Sequence, residues 1–87
     1  MGAKCWGPMM SITYDCVGKG KMEILTSEGA SIKRSLILYI KEKDIKIGDI
    51  NEVCYNYDPI DYKKSAKELG IPDRAIITLK LKSGFNR

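Results

Sequence analysis

From Met10 onward hydrophobic and polar positions alternate. Ile12, Tyr14 and Cys16 fall on one side, Ser11, Thr13 and Asp15 on the other, which is the period of two expected of a half-buried β-strand. The segment VGKGK follows, and Gly18 and Gly20 supply the positive φ angles that a tight turn needs. A second strand over residues 21–26 is therefore expected to pair antiparallel with the first. At the other end of the chain, AIITLKLK alternates as clearly, with Ile77, Leu79 and Leu81 inward and Thr78, Lys80 and Lys82 toward solvent.

Between these strands the period changes. In SIKRSLILYIKEKD, Ile32, Leu36 and Ile40 share one face of a helix. A strand would place Arg34 among the apolar side chains, so a helix is the better assignment, with Ser31 as its N-cap and Lys41, Glu42 and Lys43 in an exposed last turn. KIGD breaks the chain, and residues 51–57, with Val53, Cys54 and Tyr55, read as a third strand bounded by Gly48 and Pro59. In CYNYDPIDY, Tyr55 is expected to pack the core, NYDP to leave the sheet, and Ile60 and Tyr62 to pin a crossover loop back onto it. Ile60, Ala66 and Leu69 form too thin a stripe for a long helix, so the connection should hold only a short helical turn near residues 65–69, stopped by Gly70.

The chain has 87 residues, which suits one domain. Residues 1–9 read as an irregular leader or tag, with Met10 as a possible native start, residues 10–83 as the domain and 84–87 as a short tail. Hydrophobic residues make up 44% and charged ones 30%, too apolar for a disordered segment. The formal net charge of +4 comes from lysines spread along the chain, a pattern that fits a solvated surface better than a dedicated nucleic-acid site. Cys5, Cys16 and Cys54 are odd in number without CxxC spacing, and there is no histidine, so no zinc or other metal site and no cofactor is expected, and a reducing, intracellular setting is. No apolar run is long enough to span a bilayer, and no secretory signal is visible. With neither a histidine for general-base work nor a glycine-rich phosphate loop, no catalytic residue is expected. Asp58 and Asp61 read as turn and cap residues.

The order hairpin, helix, strand, long connection, strand resembles ubiquitin, with Ile60 and Ile71 at loop positions that plug the core. The resemblance implies an α+β fold of the ubiquitin-like β-grasp type: ββαβ, a loop with a short helical turn, then β. Four stretches are more specifically similar to the DWNN domain, the ubiquitin-like module of the retinoblastoma-binding E3 ligase and of the related yeast cleavage and polyadenylation factor subunit. They are MSITYD, SIKRSLILYI, YNYDPIDY and IPDRAIITLK, together covering roughly residues 10–82. The lysine-rich DYKKSAKE departs from the acidic loop usual in that family. The zinc knuckle and RING that follow the domain in family members have no counterpart here, since only Cys54 lies beyond residue 16.

The resemblance implies a nuclear, non-catalytic, monomeric docking module of mRNA 3′-end processing whose partner is the endonuclease subunit. The end KSGFNR has one glycine, Gly84, followed by bulky Phe85, where a conjugated modifier carries two terminal glycines; conjugation is therefore not expected. The expected binding surface is the outward sheet face, Cys54, Asn56, Thr78, Lys80 and Lys82, together with Tyr57. In ubiquitin the corresponding region is an apolar recognition patch, whereas these residues are mostly polar and would steer an acidic partner. Trp6 is a second possible aromatic anchor. Two alternatives stand beside this reading. One is a standalone ubiquitin-like protein; the other is a basic α+β domain that binds single-stranded nucleic acid directly, with Tyr14, Tyr39 or Tyr57 stacking on bases.

Overall fold

The computed structural model describes residues 8–82. Most of the expected leader, including Cys5 and Trp6, and the tail with Gly84 and Phe85 lie outside the described residues. The elements run β1 (Met9–Cys16), β2 (Gly20–Ser27), α1 (Ile32–Glu42), a single 3-10 turn (Ile47–Asp49), β3 (Ile50–Tyr55), β4 (Asp58–Pro59), α2 (Ala66–Leu69) and β5 (Ala75–Leu81). The strands form one mixed sheet in the order β2-β1-β5-β3-β4, with β1 and β5 parallel at its centre and the other pairs antiparallel. Helix α1 covers one face. This is the ubiquitin-like β-grasp.

Alternation along β1 decides which face that is. Ile12, Tyr14 and Cys16 are buried against Leu36, Tyr39 and Ile40 of α1, with Ile77 and Leu79 of β5 and Val53 of β3 completing the core. At the β1–β2 turn Gly18 and Gly20 have φ of 84° and 86°, values an L side chain adopts only with strain. The two largest buried rings meet at the β1–α1 seam: Tyr14 and Tyr39 stack with centroids 5.6 Å apart. A buried hydroxyl needs a partner, and both have one. Tyr14 Oη lies 2.5 Å from Ser35 Oγ and donates more weakly, at 3.2 Å, to the Ile32 carbonyl, while Tyr39 donates to the Gly20 carbonyl at 2.5 Å.

Ser31 occupies the N-cap position of α1 in extended conformation, yet its side chain makes no cap bond. The first-turn N–H groups are satisfied from elsewhere: Ile32 donates to the Lys64 carbonyl at 2.9 Å and Lys33 to that of Tyr62 at 2.8 Å. The long connection thus caps the helix with its own backbone, and Ser31 is left without that task. Helix α2 is capped locally by a reciprocal box. Glu68 N donates to Ser65 Oγ at 3.1 Å and Ser65 N to Glu68 Oε1 at 2.9 Å, and Gly70 closes the helix in left-handed conformation. Ile71 is buried, and Ile60 and Tyr62 are packed against the core edge, as the crossover reading requires.

Two expectations need correction. NYDP does not leave the sheet: Asn56 and Tyr57 make a two-residue turn, and Asp58 and Pro59 return as β4, paired with Tyr55 and Cys54. Tyr55 is half-buried and packs at the rim of the core, because β3 lies near the edge of the sheet and only a two-residue strand flanks it on that side.

Candidate functional site

The β3–β4 turn sets the geometry of the outer sheet face. Asn56 and Tyr57 have φ of 54° and 69°; two positive φ angles in succession match the right-handed twist of a two-residue hairpin. Asparagine tolerates this backbone through its short polar side chain, but tyrosine does not, and a left-handed non-glycine residue costs of order 1 kcal/mol. That cost is borne by the most exposed large hydrophobic side chain described, for Tyr57 is 96% accessible. Its ring borders a shallow cleft of about 180 Å³ formed with Asn56, Ile76 and Thr78. Ile76 is 50% exposed.

Register explains which residues join this face. Thr13 stands opposite Ile76, and Asp15 opposite Thr78, across the β1–β5 pair; Cys54 stands opposite Thr78, and Glu52 opposite Lys80, across β3–β5. Lys80 Nζ lies 3.7 Å from Glu52 Oε1, with both side chains well exposed, a pair worth little to stability but enough to pull that ammonium toward β3. Lys82 is exposed at the end of β5, where its N–H donates to the Asp49 carbonyl at 3.0 Å. Farther along, Val17 in the β1–β2 turn is 82% exposed and shares a hollow of about 270 Å³ with Thr78, Lys80 and Leu81.

Of the six residues expected on the binding surface, Asn56, Tyr57 and Thr78 come together, with Thr78 half-buried, while Lys80 and Lys82 lie progressively farther along β5. Cys54 is a correction: it is 2% exposed. It sits on β3 with β5 paired on one side and β4 on the other, and its Sγ lies 3.7 Å from Glu52 Oε1. Burial, with Glu52 nearby, pushes its thiol above the usual range, so it is a protonated, enclosed group at neutral pH. The face is also less polar than expected, because Ile76 and Val17 belong to it. Ile76 was legible in AIITLKLK, since the alternation that points Ile77 and Leu79 inward must point Ile76 outward. Tyr14 and Tyr39 are fully buried and cannot stack on bases, leaving Tyr57 alone of the three tyrosines proposed for that role.

Among the described residues there is no group of three or more His, Cys, Asp or Glu placed to hold a metal ion, and no helix is long and apolar enough to cross a membrane.

No protein-family model matches the chain, and no curated protein sequence does either. Solved structures do. The ubiquitin of Caldiarchaeum subterraneum aligns with a TM-score of 0.76 at 14% identity, over 87% of this chain and 96% of that one. The N-terminal ubiquitin-like domain of the 4931431F19Rik protein aligns at 0.70 and 10% identity, over 88% of this chain and 78% of that one. A chain of the pParkin–pUb–UbcH7 complex aligns at 0.72 and 9% identity, over 87% of this chain and 24% of that one. At these identities the likeness establishes the fold.

Proposed function

We propose that the chain is a non-catalytic, ubiquitin-like docking domain of the nuclear mRNA 3′-end cleavage and polyadenylation machinery, and that it binds the endonuclease subunit through the β3–β4 turn and the adjoining face of β5. The general part of this reading, a ubiquitin-like domain that binds a protein partner, is supported by one observation above the others. A tyrosine is held almost wholly exposed in a backbone conformation that disfavours it, beside an exposed isoleucine; exposed aromatic and aliphatic anchors in such clusters are what protein partners bury. The specific part rests on the DWNN-like stretches MSITYD, SIKRSLILYI, YNYDPIDY and IPDRAIITLK.

The test is an isothermal titration of the domain with the 3′-end-processing endonuclease subunit from the same source, with single-stranded RNA as the parallel titrant. Saturable one-to-one binding to the nuclease that Tyr57→Gly weakens supports the reading. Binding to RNA alone, falling steeply with salt, overturns it in favour of direct nucleic-acid recognition.

A further inference from the structure

We propose that the segment preceding β1 acts as an intramolecular strap: the Trp6 side chain covers the hollow between β2 and α1, seated among Leu25, Ile37 and Leu38. The proposal is independent of the β3–β4 turn.

The surface to be covered is apolar and continuous. A hollow of about 410 Å³ lies between β2 and α1, with Met9, Leu25, Ala30, Ile37 and Leu38 in its wall. Leu25 is 68% exposed and Leu38 54%, and Met9 and Ile37 are exposed as well. The two α1 residues lie off the stripe of Ile32, Leu36 and Ile40 that the core uses. A single exposed aliphatic residue needs no explanation, but four large apolar side chains around one hollow mark a surface that something apolar buries.

The chain itself supplies the occupant, because it enters the sheet at the rim of that hollow. The Pro8 carbonyl accepts a hydrogen bond from Glu28 N at 3.0 Å, which carries the β1–β2 pairing one step beyond Met9 and Ser27. Met9, next along, is part of the wall, and Ser27 Oγ donates to its sulfur at 3.4 Å. Terminal segments stay loose unless tied down; here the chain is tied at Pro8, on the rim. Trp6 is two residues before Pro8, so its Cα lies within about 7 Å of that of Pro8. The intervening Gly7 has no side chain to restrict how the chain turns there.

Size and chemistry fit one indole. The hollow falls in the range of roughly 300–1,000 Å³ found for sites that enclose a small organic ligand. Trp6 is the only aromatic residue among residues 1–7, and burying such a ring removes about 150–250 Å² from water. A ring tethered this closely acts at an effective concentration of order millimolar. A separate chain must displace it before it can use the hollow, so the strap leaves the β3–β4 turn as the open apolar surface.

The test uses the whole 87-residue chain, which contains one tryptophan, so indole fluorescence reports Trp6 alone. In native buffer the emission should be blue-shifted and its quenching by acrylamide several-fold weaker than in urea, both independent of protein concentration. Nuclear Overhauser contacts should join the indole to the methyl groups of Leu25, Ile37 and Leu38. Leu25→Thr and Leu38→Gln, both at exposed positions, should each move the emission toward the urea value at unchanged circular dichroism, while Tyr57→Gly should leave it as in the parent. Solvent-like emission in native buffer overturns the proposal. So does a blue-shifted emission that neither hollow variant moves, which places the ring elsewhere. A blue shift lost on dilution, with sedimentation showing a dimer that dissociates over the same range, also overturns it, since the ring then fills the hollow of a second copy.

Discussion

At the seam between β1 and α1, Tyr14 and Tyr39 are fully enclosed, their rings stacked and their hydroxyls hydrogen-bonded. At the β3–β4 turn Tyr57 stands in solvent on a left-handed backbone. The same side chain therefore does opposite things in the two regions. At the seam both rings are enclosed and both hydroxyls have partners within the chain, so the rings contribute to folding and are unavailable to a ligand. At the turn the ring has few contacts and a backbone that would prefer glycine, so its contribution to folding is small and its availability complete.

The largest expected effect lies at the seam. Tyr14→Ala should lower stability by about 3–5 kcal/mol, the usual cost of emptying a large aromatic site. Urea unfolding measures it, and a loss under about 1 kcal/mol would erase the contrast between the two regions.

Alkaline pH attacks the same region. Burial pushes both Tyr14 and Tyr39 up to about 12 from an ordinary value of 10.0. The unfolded chain then loses these protons at lower pH than the folded one, so the stability linked to them is complete below pH 10 and is lost as pH rises from 10 toward 12. The Cys16 thiol, also pushed up by burial, acts in the same direction from its ordinary value of 9.0. Urea midpoints that stay constant between pH 9 and pH 11 would contradict the enclosed seam.

Tyr55→Ala should fall between the two regions, costing about 2 kcal/mol because the ring is half-buried at the rim. Tyr14→Phe keeps the packing and removes one hydroxyl. Ser35 Oγ retains its bond to the Ile32 carbonyl at 3.0 Å, so the cost should be about 1 kcal/mol, read from the same unfolding curves. The smallest effect is expected for Tyr57→Gly. Relief of the left-handed strain and the greater freedom of glycine in the unfolded chain act in opposite directions, leaving stability within about 0.5 kcal/mol of the parent. The partner titration should nevertheless register the change.

The regions also differ in how far sequence alone revealed them. The seam was legible in part: Ile12, Tyr14 and Cys16 alternate against a helical spacing of Ile32, Leu36 and Ile40, and both periods are local properties of the chain, whereas Tyr39 lay outside the expected stripe and its ring joined the core through packing on Tyr14. The capping box at Ser65 and Glu68 was written in SAKE, although the short helix was expected from its neighbours and not from that signature. The turn was less legible. Asn-Tyr is a weak signal for a two-residue hairpin because the second position ordinarily needs glycine or asparagine, and β4 is too short to show a period. Cys54 was misplaced for a related reason: alternation tells which face a residue is on, but its exposure depends on the strands on either side.

What the sequence by itself determined is therefore whatever a segment carries in its own backbone and period. That includes the β1–β2 hairpin with its two glycines, the apolar stripe of α1, the alternation of β5 and the stop at Gly70. Tertiary structure decided the rest, because those outcomes depend on segments far apart in sequence. Lys64 and Tyr62 carbonyls replaced Ser31 as the cap of α1. Pairing on both sides enclosed Cys54. The order β2-β1-β5-β3-β4 left β2 as the long outer strand among the described residues, and the placement of α1 beside it turned Leu25, Ile37 and Leu38, unremarkable singly, into walls of one hollow.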